Sequence, residues 1–327
     1  MHLSFACGDY DRLRPLRDGR VRAEGLELTF LTLGPEETFH RQIVHHEFDA
    51  SEMSLGSYVT GIAQGTAPFV AIPIFPSRAF RHSAAYVNAS AGIQRPEDLR
   101  GKRVGVAEYQ LTANVWLRGI LEDDYGLRPS EVRWFVGGLD QAGRRLKQTL
   151  VLPPEINVEA ISSDDTLSGM LERGDLDAVF TPRMPGPFVG GSARIRRLFP
   201  DYRRAEADYF ARTRIFPIMH TVVIRRDMYE RDRWIAQSLV KALTDAKRLC
   251  ADTIYNTAAL AYMLPWMNEE IESVRALMGE DWWPYGLEPN RKTLETFLRY
   301  AAGQGIATRP LTVEELFAPE TADTFRI

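Results

Sequence analysis

Apolar and polar positions in the N-terminal part of the chain switch repeatedly between the strand period and the helix period. Leu3–Cys7 is a short apolar run stopped by Gly8-Asp9, and Gly25–Leu33 alternates well enough for a second strand. Pro35–Val44 reads as a helix, with Phe39 and Ile43 four apart on one face; Phe48–Met53 reads as a strand and Leu55–Ala63 as a helix. Phe69–Phe75 and Ser83–Val87 are apolar runs of buried-strand type. The pattern then restarts. Lys102–Ala107 predicts a strand, Leu111–Leu121 a helix, Val132–Val136 and Val158–Ala160 strands, Asp165–Glu172 a helix capped by Ser163 or Asp164, and Leu176–Phe180 a strand. After a strand at His220–Ile224 the chain changes character. Trp234–Ile254 carries Ile235, Leu239, Leu243, Ala246 and Cys250 at helical spacings, and the helical reading runs on to Ile327 with loops at Trp282–Pro289 and Gly303–Thr312.

Two runs of β-α-β alternation followed by helices predict an α/β protein of two lobes with a cleft between them and a helical C-terminal segment. Crossings are expected near Val87–Ile93 and Phe216–Val223, which assigns residues 1–90 plus 222–327 to the first lobe and 91–221 to the second. Ligands in such folds gather beyond the carboxyl ends of the strands, and between two lobes that place is a closable cleft.

Composition narrows the function classes. The chain has 327 residues, 45% hydrophobic and 26% charged, enough for two ordinary cores. A net charge of −4 argues against a general nucleic-acid binder. Neither a signal-peptide pattern nor a membrane-spanning apolar run is read, so a cytoplasmic protein without membrane association is expected, and a homo-oligomer is left open. Cys7 and Cys250 form no C-x-x-C motif. His40, His45, His46 and Glu47 lack metal-ligand spacing, and Gly137-Gly138 is too short to cradle a phosphate, so no metal, nucleotide or other cofactor is expected.

Arginine outnumbers lysine 35 to 5, so a single Arg carries information only among apolar neighbours or at a strand end. Arg78 and Arg81 in Pro76–His82 meet that condition, as does Arg183 between Pro182 and Met184-Pro185. A guanidinium there suits a carboxylate clamp or an inter-lobe salt bridge. Glu108, Tyr109, Gln110 and Thr112 follow a strand and open a helix, a place that favours anions, with Gln110 or Thr112 as simple caps the other reading. Glu108 fits anion binding poorly and is therefore the acid/base candidate. His82 and His220 each open an apolar run at an expected crossing, where either is a general acid/base or a satisfied core histidine.

Six stretches carry a resemblance: Ser51–Tyr58, Pro76–Ser83, Gly105–Thr112, Phe180–Pro185, Phe216–Thr221 and Trp283–Gly286. Together, and in order, they resemble the 4,5-dihydroxyphthalate decarboxylase family, which implies the type II periplasmic-binding-protein fold. Gly56 stands where a second Ser is expected and Ala107 where a Pro is expected. The resemblance implies a cofactor-independent decarboxylase of a hydroxylated aromatic dicarboxylate. Arg78, Arg81 and Arg183 would clamp carboxylates, with Gln110 and Thr112 at the same anion site. His220 and Glu108 would exchange protons with His82 in reserve, and Ser54, Tyr58 and Tyr109 would position hydroxyls and carboxylates. The competing reading is a non-catalytic solute-binding or ligand-sensing protein for a small aromatic carboxylate.

Overall fold

The computed structural model describes residues 1–144, 150–256 and 258–322. Two sheets organise them. The first has the order β2-β1-β3-β11-β4, from His2–Cys7 (β1), Glu27–Thr32 (β2), Ala50–Ser54 (β3), Phe69–Arg78 (β4) and, much later in the chain, Ile218–Arg225 (β11). The second has the order β10-β5-β9-β6-β7-β8, from Ala85–Asn88 (β5), Arg103–Val106 (β6), Arg133–Val136 (β7), Val158–Ala160 (β8), Ala178–Phe180 (β9) and Ile195–Arg197 (β10).

In the first sheet β1, β2 and β3 run parallel, while β11 lies antiparallel between β3 and β4. The returning chain is therefore sewn into the middle of a sheet begun by the N-terminus. Its register sets His220 opposite Ser54 and Val222 opposite Glu52. All five residues of β3 are buried, as expected for a central strand covered on both faces, and this encloses Glu52 completely. In the second sheet β9, β6, β7 and β8 run parallel; β5 adds antiparallel to β9 at one edge, and β10 antiparallel to β5.

Most predicted elements form within a residue or two of their expected ends, and the Trp234–Ile254 helix matches at both. Four differences have physical reasons. Ser83–Val87 begins as a buried turn at His82–Ala84, and its strand, Ala85–Asn88, pairs with β9; the chain thus leaves the first sheet at Ala79–Ala84, ahead of the expected Val87–Ile93. The strand at Phe69–Phe75 continues to Arg78 because β11 supplies partners as far as Ile218. The helix expected at Asp165–Glu172 forms at Leu167–Arg173, where neither Ser163 nor Asp164 caps it; Thr166 Oγ1 accepts from the Gly169 amide at 3.2 Å. The Tyr202–Thr213 helix is unpredicted because it is polar on most of its surface, and it is held by ion pairs such as Arg212–Asp124. In the C-terminal part, helices form at Met267–Met278 and Arg291–Gly303; the end of the expected helical reading, 323–327, lies outside the described residues.

No helix among the described residues is long and apolar enough to cross a membrane.

Candidate active site

The carboxyl ends of β3, β6, β7 and β9 all open toward one cavity of about 690 Å³ between the sheets, a volume suited to a small organic ligand. Because β11 is antiparallel to β3, its amino-terminal end arrives at the same place and delivers Met219 and His220 to the wall.

His220 lies diagonally across the strand pair from Glu52, the distance at which long side chains on one face meet. Its Nδ1 is 2.5 Å from Glu52 Oε1. Glu52 also accepts from the Tyr10 hydroxyl at 2.6 Å, the Gly8 amide at 3.1 Å and the Cys7 thiol at 3.5 Å. Burial would raise the Glu52 pKa, but the His220 ring and the surrounding donors outweigh it and hold the carboxyl below its ordinary value. A carboxylate that only accepts requires the proton of His220 on Nδ1. Any exchange with a ligand must then run through Nε2. Phe39, which also lines the cavity, packs edge-on against the imidazole with centroids 4.8 Å apart and restricts its rotation.

The remaining wall carries three arginines and two carboxylates, Glu36 and Asp140, among apolar residues. Arg81, Arg144 and Arg183 line the cavity. Arg81 Nε donates to Met219 Sδ at 3.0 Å, and its guanidinium has no ion-pair partner among the described residues. Burial pulls its pKa down, opposed by Glu206, and the group stays charged near neutrality. Arg144 is braced by Glu108, 2.7 Å from Nη2 to Oε1. Arg144 and Arg183 approach Glu36 at 3.6 and 3.5 Å. Three helix beginnings add partial positive charge: Pro35 and Glu36 of the Pro35–His45 helix, the cap Ser54 of the Leu55–Gln64 helix, and Thr112 and Ala113 of the Thr112–Tyr125 helix. The last two helices meet head to head. Thr112 Oγ1 accepts from the Gly56 amide and lies 2.9 Å from Ser54 Oγ, so Thr112 joins the sheets instead of capping its own helix. Gly56 is required there, since a Cβ would collide with the Gln110 carbonyl.

Of the residues singled out by sequence, His220, Arg81, Arg183, Ser54 and Thr112 line the cavity. The others have different occupations. Arg78 donates through its Nη atoms to the carbonyls of Phe216 and Pro284 and to Asn290 Oδ1, which engages them without an anion, while its buried Nε has no partner among the described residues. His82 is packed between Phe199 and Tyr209. Burial there pushes its pKa down to about 4, so it is neutral at pH 7. Glu108 is buried behind Arg144 and accepts from Gln110 Nε2 at 3.0 Å. Tyr109 lies beneath the Arg118 guanidinium and edge-on to Trp134, and Tyr58 bridges the Leu316 carbonyl and the Ala71 amide.

Among the charged residues that escaped the sequence reading are Arg144 and Glu36 in the cavity wall and Glu52 buried behind His220. Glu52 left a signal, since a carboxylate between Ala50 and Met53 in a short apolar strand needs a buried partner. Arg144 is one of 35 arginines in a polar loop, and Glu36 sits in an ordinary acidic first helical turn; neither differs in sequence from a surface residue.

Comparison with known proteins adds the following. No family model matches the chain. A 4,5-dihydroxyphthalate decarboxylase from Comamonas testosteroni is 40% identical over 327 residues, covering 100% of this chain and 99% of its own. One from Pseudomonas putida is 47% identical over 210 residues, 64% of this chain and 81% of its own. Among solved structures, a periplasmic sulfonate-binding protein of Methylobacillus flagellatus KT superposes with a TM-score of 0.55 at 12% identity, covering 98% of this chain and 93% of its own. The ligand-binding component of an ABC-type import system from Staphylococcus aureus gives 0.50 at 9% identity, covering 99% of each. These likenesses identify the two-sheet arrangement as the periplasmic-binding-protein fold.

Proposed function

The chain belongs to the 4,5-dihydroxyphthalate decarboxylase family, and from that premise we propose that it is a carboxy-lyase that removes one carboxylate from a hydroxylated aromatic dicarboxylate such as 4,5-dihydroxyphthalate. The observation that carries the reading is the Glu52–His220 pair, 2.5 Å apart, in a cavity walled by three arginines.

In 4,5-dihydroxyphthalate each carboxylate is para to a hydroxyl. Transfer of the hydroxyl proton to solvent sends electron density to the para carbon. That carbon takes a proton, and the bond to its carboxylate then breaks, releasing carbon dioxide and returning the electron pair to the ring. The ring hydroxyl is itself the electron source, so this route asks for no cofactor. His220 is the proton donor through Nε2. The buried Glu52 carboxylate stabilises the imidazolium and fixes its orientation, as a carboxylate does behind any catalytic histidine. Arg81 takes one carboxylate and Arg144 with Arg183 the other, with Ser54, Thr112 and the helix beginnings completing the anion site. In this reading the two sheets act as lobes, and their closure would expel water and strengthen these contacts.

Purified protein mixed with 4,5-dihydroxyphthalate should yield protocatechuate and carbon dioxide in equal amounts. Tight binding with no product would overturn this reading in favour of a ligand-sensing or solute-binding protein.

A further inference from the structure

We propose that Glu36 is an internal competitor for the substrate: in the empty cleft it holds the carboxylate subsite formed by Arg144 and Arg183, and a dicarboxylate binds by displacing it. The proposal rests on reading the cleft as an aromatic-dicarboxylate site, and it assigns selectivity within that site to one side chain.

The geometry is that of a stand-in ligand. Glu36 Oε1 lies 3.6 Å from Arg144 Nη1 and Oε2 lies 3.5 Å from Arg183 Nη2, so the two oxygens are divided between two guanidiniums as a bound carboxylate would be. All three side chains line the cavity. Glu36 comes from the first-sheet side, at the start of the Pro35–His45 helix, while Arg144 and Arg183 come from loops that follow β7 and β9. Its neighbour Glu37 is engaged differently, by Arg41 on the same helix at 2.8 Å.

The contacts are also those of a group that can leave. Both exceed hydrogen-bonding length, and the Arg183 and Glu36 side chains are 65% and 47% exposed, so the pairs are weak. Arg144 does not depend on Glu36 for its position, because Glu108 braces it from behind. Its Nη1 meets Glu36 only at 3.6 Å, so that donor is left for a ligand once Glu36 withdraws. A first-turn glutamate is favoured by the helix dipole whether or not the arginines hold it, which keeps Glu36 poised to return.

The consequence is discrimination by charge. A dicarboxylate anchored at Arg81 brings a second carboxylate that outcompetes Glu36. A monocarboxylate anchored at Arg81 leaves the Glu36 contacts intact. Loss of one carboxylate in the reaction would then let Glu36 reclaim the subsite and favour release of the product.

Calorimetry with phthalate and benzoate tests this without catalysis, since neither carries the hydroxyl that drives decarboxylation. Glu36→Gln should tighten phthalate by about two- to fivefold, the worth of a weak exposed ion pair, and change benzoate less than twofold. The phthalate gain should shrink when Arg183→Gln is combined with it. Unchanged or weaker phthalate binding in a variant with native circular dichroism would overturn the proposal. So would an equal gain for benzoate, which would reflect only one negative charge fewer in the cleft. Failure of wild-type protein to bind phthalate would overturn both the proposal and the site reading. The expected phthalate result together with no turnover of 4,5-dihydroxyphthalate would remove the decarboxylase reading and leave the competitor standing.

Discussion

The chain passes between the two sheets twice, and each passage carries a histidine into a different fate. At Ala79–Ala84 it carries His82 into an aromatic enclosure of Phe199 and Tyr209, where burial keeps the ring neutral. At the start of β11 it carries His220 to the cavity wall, with a buried carboxylate at Nδ1. The arginines of the first passage divide in the same way. Arg78 ends a strand and its Nη atoms are held by two carbonyls and an amide oxygen, whereas Arg81 lies beyond the strand and faces the cavity with no acidic partner among the described residues. Residue type and local sequence are nearly the same at these places. What differs is which acceptors the tertiary fold brings, and those decide whether a group is spent on stability or left for a ligand.

The largest expected effect separates the two histidines by rate. His220→Asn and Glu52→Gln should each lower turnover by about 10²–10⁴-fold while phthalate affinity stays within a few fold, because a proton donor and its orienting carboxylate act mainly in the transition state. His82→Leu should leave the rate nearly unchanged. Single-turnover kinetics alongside calorimetry would check this. Equal rate losses at both histidines would erase the distinction.

The next effect separates them by pH. The His82 pKa is depressed from 6.5 to about 4 in the folded chain. The unfolded chain therefore binds the proton first as pH falls. The stabilisation from keeping this ring neutral is complete above pH 6.5 and is lost as pH falls from there through 4. The whole difference is about 3 kcal/mol, of which about 2 kcal/mol is gone by pH 5. Urea unfolding at pH 7 and pH 5 should show that loss in the wild type and a flatter dependence in His82→Leu. An unchanged slope would mean that other groups dominate acid sensitivity.

A smaller effect divides the arginines. Arg81→Met should weaken phthalate binding by about 1.5–3 kcal/mol with stability nearly intact. Arg78→Met should do the reverse, costing about 1–3 kcal/mol of folding stability through stranded buried acceptors, with affinity unchanged where the fold survives. Thermal melts read beside binding curves would reveal a reversal of these assignments.

The sequence made the fold legible through periodicity, as in the Trp234–Ile254 helix, because that signal is local. The cavity was legible where a residue follows a predicted strand, as with Arg183, since topology alone sends such residues to the cleft, whereas Ser54 came only from the family resemblance. His220 was found for a partly mistaken reason. It lies inside β11 and does not open it, and its meaning depends on a register with β3 that no local pattern encodes. Glu108 looked like an acid/base group because its place after a strand was right, but the Arg144 contact that occupies it is tertiary. Arg78 was misjudged because the strand runs three residues beyond its apolar stretch and carries the side chain to Asn290.

The head-to-head meeting of two helices at Ser54, Gly56 and Thr112 bears on how ligands for this protein can be found. Each helix beginning carries about half a positive charge, and a short hydrogen-bonded bridge keeps two of them side by side. Their like partial charges repel, and an anion that settles beside both relieves that repulsion. Melting temperature should therefore respond to any carboxylate that seats correctly, before anything is known of its chemistry. A ligand at a hundred times its dissociation constant adds about 2.7 kcal/mol to the folded state. A plate of aromatic mono- and dicarboxylates scanned by heating would rank ring substituents directly, with the protein itself serving as the indicator dye.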